Sequence, residues 1–394
     1  MIRFCRISTR FSLMKLSKNT VSLFISKVMS APEDIKCPAC PVKDEYQRII
    51  SMDVNFGLVR KKTSGRSVEE PKHSGVYFVD QNEVDQFLKE NSKTQPPKTQ
   101  DCSDFKAGSN IRSRKRHEKL DETAVFGASC RHDFPLIMFS LKHGERLAYA
   151  VFLLKQLLET VGPHQLFVMY DVVCMLETHI KKHYPLLPIE EIKLAIPIFH
   201  CYGHKFACQV RYSPRRNPGF ALSDGESLER LWSYLRNFSK ITKEMTPTHR
   251  IDTLTDALRH YARRNLFKLG SFLSSKMQKA QDVLKTSSEE LAVLLARLQV
   301  TSEEVKQVIS AEMDNAPKSK TTGLEKGISG KETLMQELQR HCTERKVLIE
   351  MMKKYATGQA IAVKLSKSIS KTTSTVKKLL GTYNNNADLT TPCF

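Results

Sequence analysis

Four acidic residues stand at positions where carboxylates are able to bind metal ions. Asp53 lies on the polar side of an alternating segment, and Asp171 interrupts a segment that is otherwise apolar. A carboxylate in a buried strand is costly unless it is paired or binds a cation. Glu226 and Glu229 offer a third acid from a predicted helix. Two strand acids and one helix acid are the set that two-metal phosphoryl transfer requires, because Mg²⁺ or Mn²⁺ ions about 3.5–4 Å apart clamp the attacking and leaving oxygens.

Each of these acids also has an ordinary structural explanation. An aspartate at the C-terminal end of a strand, such as Asp171, can cap the helix that follows. Glutamates on a helix commonly form a solvated face. The occurrence of two strand acids together with a helix acid in one chain favours the metal site over these alternatives.

Strands and helices alternate around the acids. Alternating apolar and polar residues over 47–56 predict a strand. The continuous apolar runs 166–173 and 194–199 predict strands that are buried on both faces. Helical periodicity predicts helices over 144–161 and 176–183. This alternation predicts an α/β fold.

The segment that carries the third acid is predicted to be an amphipathic helix. Ser223 and Glu226 have the spacing of a capping box, so we expect the helix to begin there. One face is apolar and consists of Leu228, Leu231, Trp232 and Leu235. The opposite face is polar and consists of Glu226, Glu229, Arg230 and Ser233. The helix is therefore expected to dock by its apolar side and to present both glutamates in one direction.

The sequence predicts an α/β core followed by helices. We expect an unstructured leader over 1–31, whose lack of acids also resembles a mitochondrial presequence. The core is expected over 32–265, with a polar loop at 90–119. Leucines at helical spacing, with charged residues between them, predict an all-helical, coiled-coil-like extension over 266–382. An unstructured tail is expected over 383–394. A further short strand at 76–79 is predicted to form a hairpin with the first.

Composition indicates a protein that binds a polyanion. The formal net charge is +20 and the pI is near 9.5, which favours DNA or RNA as a partner. Ten cysteines without a regular framework fit reduced thiols in the nucleus or cytosol. No run of 18 apolar residues exists, so no membrane span is expected.

Cysteines and histidines form two candidate zinc sites. Cys37 and Cys40 have the spacing of zinc ligands, but one pair is half a site. The residues able to complete it are Cys102, Cys130 and His132. A second candidate site consists of Cys201, His204 and Cys208. Ordinary reduced cysteines and polar histidines are the alternative for both.

Basic residues between and after the acids are candidate DNA contacts. Those in a Pro/Gly-containing loop are Lys205, Arg211, Arg215 and Arg216. Those further along, at helical spacing, are Arg250, Arg259, Arg263 and Arg264. Guanidinium groups suit bidentate phosphate contacts, and such binding is salt-dependent and largely blind to sequence. The alternative is that several of them pair with nearby acids. The basic run 112–117 fits either a phosphate contact or a nuclear import signal.

A series of motifs in the expected order resembles the Kyakuja-Dileera-Zisupton (KDZ) transposases over residues 37–265. The motifs are Cys37–Pro41, Met52–Phe56, Asp121–Gly127, Cys130–His132, Gly144–Arg146, Tyr170–Cys174, Phe199–His204 and Asp224–Ser233. The resemblance implies an RNase-H-like core that cleaves DNA at transposon ends and joins it to target DNA. It also implies nuclear localisation and an assembly of two or more copies.

The resemblance implies a role for particular residues. Asp53, Asp171 and a glutamate of the last motif would bind the metal ions. Glu229 is preferred because the cap occupies Glu226, and both are kept. Cys201-x-x-His204 matches a Cys-x-x-His signature that such superfamilies carry between the second and third acids. It implies that His204 contacts the scissile phosphate or orients an acid.

Two departures from the family pattern leave other functions open. Val54 stands where a small residue is expected, and Ala124 stands where glycine is expected. A catalytically silent, domesticated DNA-binding or chromatin protein is therefore one alternative. A helical, zinc-stabilised scaffold that binds RNA is the other.

Overall fold

A computed structural model describes residues 35–40, 47–91, 119–142, 144, 146–315, 330–355 and 359–385. The predicted leader, the basic run 112–117 and Cys102 lie outside the described residues. Contacts between residues divide the chain into two units, 1–314 and 315–394, which are described separately.

The first unit is built on a mixed sheet. The strands of this unit are β1 (Arg48–Asn55), β2 (Arg60–Lys61), β3 (Leu120–Glu122), β4 (Ala124–Cys130), β5 (Pro135–Leu141), β6 (Leu166–Met169) and β7 (Lys193–Ala195). Five of them form one sheet in the order β5-β4-β1-β6-β7, and β2 pairs with β3 separately. Strands β4 and β5 continue antiparallel from β1, whereas β6 and β7 run parallel to it.

Helices cover both faces of the five-stranded sheet. The helices of the first unit are α1 (Gln81–Glu90), α2 (Leu147–Thr160), α3 (Val173–His183), α4 (Ile198–Cys201), α5 (Phe206–Tyr212), α6 (Ser227–Leu235), α7 (Ser239–Thr242), α8 (Pro247–Leu298) and α9 (Ser302–Asn315). Together with the sheet they confirm the α/β class. Helix α8 continues without a break through the expected core boundary at residue 265.

Successive side chains of β1 point to opposite faces of the sheet, and each face packs into a separate core. Ile50, Met52 and Val54 enter the larger core, which α2 and α3 complete with their apolar faces. The opposite face of the sheet packs against α6 and α8 in a second core. Because successive side chains of a strand point to opposite faces, Asp53 faces the side on which α6 lies. Phe56, predicted on the apolar face, lies beyond the end of β1 and is 45% exposed.

Two strand predictions are wrong in part. The segment 76–79 forms no hairpin with β1, because its backbone bonds instead to Met138 of β5, at 2.8 Å through Tyr77 O and 3.1 Å through Val79 N. The strand expected over 194–199 ends at Ala195, and α4 begins at Ile198. Pro197 precedes that helix and has no N–H to donate to a neighbouring strand.

The second unit contains α10 (Gly330–Tyr355) and α11 (Gln359–Asn385), which pack on each other. Leu338 and Leu365 are buried there, and Arg345 Nε donates to Thr373 Oγ1 at 2.9 Å. Helix α11 reaches Asn385, so its last three residues belong to the segment predicted as an unstructured tail. None of the helices in the described part of the chain is both long enough and apolar enough to cross a membrane.

Candidate active site

The strand acids lie side by side at one end of the sheet. Ser51 of β1 pairs with Met169 of β6, and the two strands are parallel. Asp53 and Asp171 each follow two residues later, so they occupy neighbouring positions. Burial raises the pKa of Asp53 well above its usual value, and the charges of Asp171 and Glu229 raise it further. Three acids that are far apart in sequence therefore act on one another in the fold.

The apolar face of α6 places the third acid. Leu228, Leu231 and Leu235 are buried against the sheet, as predicted, and Glu229 is exposed. Trp232 belongs to the same apolar face, but its indole Nε1 also donates a hydrogen bond to Asp53 Oδ2 at 2.7 Å. The sequence pattern does not reveal this bond, because a tryptophan on an apolar face is expected to pack rather than to donate a hydrogen bond.

A glycine makes room for the tryptophan. Gly127 of β4 is the register partner of Asp53 in β1. A Cβ at Gly127 would lie 2.2 Å from Met138 Sδ and 3.2 Å from Trp232 Cη2. The missing side chain therefore lets the indole approach the strand and reach the carboxylate.

His200 lies between the second and third acids. Its Nδ1 is 3.2 Å from Asp171 Oδ2, and its Nε2 is 3.9 Å from Glu229 Oε1. Potential ligand atoms of His200, Glu226 and Glu229 all lie within 4.8 Å of one another. The sequence pattern alone does not distinguish His200 as a site residue, although His200 belongs to the same short motif as His204.

The predicted capping box is wrong. Helix α6 begins at Ser227, and no side chain caps its first turn. Glu226 Oε1 instead accepts a hydrogen bond from the backbone N–H of Phe199 in α4 at 3.3 Å. Burial and the neighbouring Glu229 raise the pKa of Glu226 to about 8.

The turn before α6 requires glycine. Gly225 has a φ of 82°, in the left-handed region that other residues seldom adopt. A Cβ there would lie 2.9 Å from the backbone Cα of Pro197. This close approach allows Asp224 O to accept from Ile198 N at 2.9 Å, which joins the start of α4 to the turn.

Arg230 fastens α6 to the turn between β4 and β5. Its Nη2 and Nε donate to the two carboxylate oxygens of Asp133 at 2.7 and 2.9 Å. Its Nη1 donates to Asp224 Oδ2 at 3.1 Å. A bidentate contact of this kind fixes the relative orientation of the two side chains in addition to pairing their charges. Arg230, the residue next to Glu229, therefore anchors α6 to this turn.

The first cysteine pair is completed by two of the residues that the sequence offered. Potential ligand atoms of Cys37, Cys40, Cys130 and His132 all lie within 4.8 Å of one another. His132 Nδ1 is 3.5 Å from Cys37 Sγ and 3.6 Å from Cys40 Sγ.

The second cysteine cluster differs from the predicted one. Cys174, His204 and Cys208 have ligand atoms within 4.8 Å of one another, and Cys174 Sγ is 3.7 Å from His204 Nδ1. Cys201 is not a member of this set, and burial raises the pKa of its thiol to about 12. The structure thus places His204 in a cysteine cluster and brings His200 to the acids instead.

Several candidate DNA contacts have structural partners. Arg250 is fully buried, where its guanidinium lies 2.7 Å from Leu58 O and 3.3 Å from a Glu122 oxygen, so it is no DNA contact. Arg211 pairs with Glu177 at 3.3 Å. Arg215 donates to the backbone oxygen of Ser223 at 3.0 Å while remaining exposed.

The other candidates reach the surface to different degrees. Lys205, Arg216 and Arg263 are exposed. Arg259 is partly buried beside Asp256, at 3.7 Å. The guanidinium of the exposed Arg264 lies 5.0 Å from the ring centroids of Tyr234 and Tyr261.

The fold and this site define a mixed α/β protein with a carboxylate cluster at one end of its sheet. The chain belongs to the Kyakuja-Dileera-Zisupton transposase family, whose model matches residues 46–261, more than half of the chain. The resemblance seen in the sequence is thereby confirmed. Membership implies a transposase-type function, DNA as a partner and the use of a divalent metal. No curated protein and no solved structure matches the chain significantly.

Proposed function

We propose that this protein is a metal-dependent nuclease and strand transferase that acts on DNA at transposon ends. The observation that carries the proposal is geometric: Asp53 and Asp171 follow paired residues of the neighbouring parallel strands β1 and β6, and His200 lies 3.2 Å from Asp171 and 3.9 Å from Glu229. Family membership supplies the transposase class and the substrate. The nucleus, where such DNA lies, is the proposed location.

The sheet supports an RNase-H-like core. Three antiparallel strands, β5-β4-β1, are continued by two strands parallel to β1. Helices α2 and α3 lie in the connections to β6 and β7. This order is typical of RNase-H-like folds. It also places the acids of β1 and β6 next to each other.

Asp53, Asp171 and Glu229 are the residues that would hold Mg²⁺ or Mn²⁺. Carboxylate oxygens suit hard divalent cations, and a cation offsets both the burial and the like-charge repulsion that raise the pKa of Asp53. When bound, such ions stabilise charge on the transferring phosphate and activate the attacking water or 3′-hydroxyl. Trp232 holds one oxygen of Asp53 in place, and His200 contacts Asp171.

We assign the third acid to Glu229 rather than to Glu226. Glu229 is exposed on α6 and acts directly on Asp53. An oxygen of Glu226 is occupied by the N–H of Phe199. Glu229→Gln is expected to cut far more slowly than Glu226→Gln. The role of contacting the phosphate or orienting an acid is likewise assigned to His200 in place of His204.

DNA is proposed to bind through basic side chains at the protein surface. The candidate contacts that are exposed are Lys205, Arg215, Arg216 and Arg263, and the partly buried Arg211 and Arg259 are secondary candidates. Binding through phosphates should weaken steeply as salt rises.

The substitution Asp171→Asn tests the enzyme. We expect wild-type protein to nick supercoiled plasmid in Mg²⁺ or Mn²⁺, and the variant to be slower by at least about 100-fold, because an amide is a poor ligand for a hard cation. Thermal stability and DNA affinity should be nearly unchanged. Asp282→Asn, at an exposed position of α8, is the matched control.

Two outcomes contradict the proposal. A variant that cuts normally in Mg²⁺ would show that Asp171 does not serve the reaction. A wild-type protein that binds DNA but cuts none in either metal would favour the catalytically silent, domesticated DNA-binding protein.

A further inference from the structure

We propose that Cys37, Cys40, Cys130 and His132 form a structural zinc site that holds the helix bearing Glu229 in position. Three thiols and one imidazole are a ligand set that zinc favours in tetrahedral structural sites. Their ligand atoms lie within 4.8 Å of one another, although the two halves of the set are about ninety residues apart in sequence. Four protein ligands fill a tetrahedral site, which indicates structure rather than catalysis.

The local backbone suits ligation. Cys40 N donates to Cys37 O at 3.3 Å, so the Cys-Pro-Ala-Cys segment is a tight turn with both thiols on one side. Cys130 ends β4, and its N–H and the N–H of Asp133 close the following turn. Cys37 and Cys130 are buried, at 9% and 1% exposure, which favours retention of a bound ion.

The site lies in a small hydrophobic core of its own. Cys37 and Cys130 pack there with Phe134 from the β4–β5 turn and with Leu266 and Leu269 of α8. A zinc ion would therefore join residues 35–40 to the end of β4 and the turn that follows it, beside the middle of α8. Ligation of this kind contributes directly to folding free energy.

A short chain of contacts leads from the cluster to the third acid. His132 is followed by Asp133, whose carboxylate receives both donors of Arg230 at 2.7 and 2.9 Å. Asp133 O also accepts from Asn265 Nδ2 of α8 at 2.8 Å. Arg230 is the residue next to Glu229. Loss of zinc would thus release the turn that anchors α6. This positioning role rests on the proposed function, whereas the zinc site itself does not.

Zinc content of the full-length protein tests the site. Zinc is measured by elemental mass spectrometry in wild type, Cys40→Ser, His132→Ala, His132→Cys and Cys342→Ser. We expect Cys40→Ser and His132→Ala each to lose about one zinc per chain relative to wild type. His132→Cys should retain it, because four thiolates also bind zinc. Cys342, exposed on α10, is the control.

The comparison separates ligation from folding. Retention by His132→Cys, with loss in His132→Ala, is expected only if the side chain at 132 is a ligand. Any zinc bound by the cluster of Cys174, His204 and Cys208 is the same in every variant. A difference of one zinc ion per chain therefore reports the proposed site. Wild-type zinc content in Cys40→Ser, or a wild-type protein without zinc, would overturn the proposal.

The positioning role is tested by Mn²⁺ affinity, which requires no cleavage. Isothermal titration of the acidic cluster should show a Kd raised about 10-fold in His132→Ala and restored in His132→Cys, as is usual when support for a metal ligand is removed. An unchanged Kd in a zinc-free variant would overturn the positioning role alone. Failure of the proposed function is distinguishable, because it appears as absent cleavage by the wild type.

Discussion

At the scale of single residues, Trp232 connects packing with chemistry. Its ring belongs to the core between α6 and the sheet, and its N–H fixes one oxygen of Asp53. Gly127 favours this arrangement, because a Cβ there would lie 2.2 Å from Met138 Sδ, so that Met138 would have to shift, and 3.2 Å from the indole. The orientation of a candidate metal ligand therefore depends on a hydrophobic residue and on a glycine that has no chemistry of its own.

Trp232→Phe should slow cleavage while preserving the fold. A hydrogen bond to a charged group contributes about 1.5–3 kcal/mol, which corresponds to a loss of roughly 10–100-fold if the bond acts in the reaction. The phenyl ring retains most of the packing, so the melting temperature should fall only slightly. Single-turnover nicking in Mg²⁺ measures the rate.

Tyr234→Phe is the matched control, since it removes a polar group elsewhere on the same helix, one that lies 2.9 Å from His260 Nδ1. Its nicking rate should be close to that of the wild type. Equal rates in Trp232→Phe and the wild type would mean that the indole only packs.

At the scale of elements, α3 carries a buried histidine that affects stability rather than function. His179 is 5% exposed, and its ring centroid lies 4.8 Å from that of His183 and 5.7 Å from that of Tyr184. Burial, together with the charge of the neighbouring His183, lowers the pKa of His179 to about 4. The folded protein thus keeps this ring neutral.

His179 should make the first unit sensitive to acid. Between pH 6.5 and about 4 the unfolded chain binds a proton at His179 that the folded chain does not. The stabilisation is complete above pH 6.5 and is lost as the pH falls towards 4. At pH 5 the loss is about 2 kcal/mol, and His179→Phe should abolish it.

Urea unfolding at pH 7.5 and pH 5 measures the effect as a difference between wild type and variant. His164→Phe makes the same change at an exposed position, with a side chain 74% accessible, and should leave the pH dependence unaltered. An identical acid loss in wild type and His179→Phe would refute the assignment.

At the scale of the whole molecule, α8 extends past the core and carries exposed leucines. The last buried side chain of this 52-residue helix is Leu269. Beyond it, Leu284, Leu291 and Leu298 are 63%, 45% and 61% exposed and are spaced by seven residues. A seven-residue apolar repeat is typical of helices that pair as coiled coils. Because transposition joins two ends, we propose that this repeat forms a homodimer.

Leu291→Glu is expected to shift a homodimer formed through this repeat towards monomer. A charge in the apolar seam must be buried or the helices must separate. Sedimentation equilibrium at micromolar concentration measures the mass. Leu186→Glu makes the same change at a leucine that is 98% exposed outside α8, and should leave the dimer intact. A monomeric wild type, or a dimer that Leu291→Glu does not weaken, would exclude this interface.

Much of the site could be anticipated from local patterns. Alternation over β1, the apolar run of β6 and the amphipathic face of α6 all depend on neighbours a few residues away, so the sequence by itself determined the strands, the docking face of the helix and the four acids. The motif order also determined the family. The apolar run 194–199 predicts a strand throughout, whereas β7 ends at Ala195 and Pro197 precedes α4, which periodicity alone does not register.

Only the tertiary structure decided which side chains meet. His200 rather than His204 contacts the acids, Trp232 donates to Asp53, Arg250 is buried, and Cys130 with His132 completes the cysteine pair. The sequence shows what each residue type can do chemically, but the residue that it contacts lies up to 192 positions away in the chain, as Leu58 does from Arg250. Such pairings depend on strand register and on how helices cross the sheet, and these are set by packing of the whole core rather than by any local pattern.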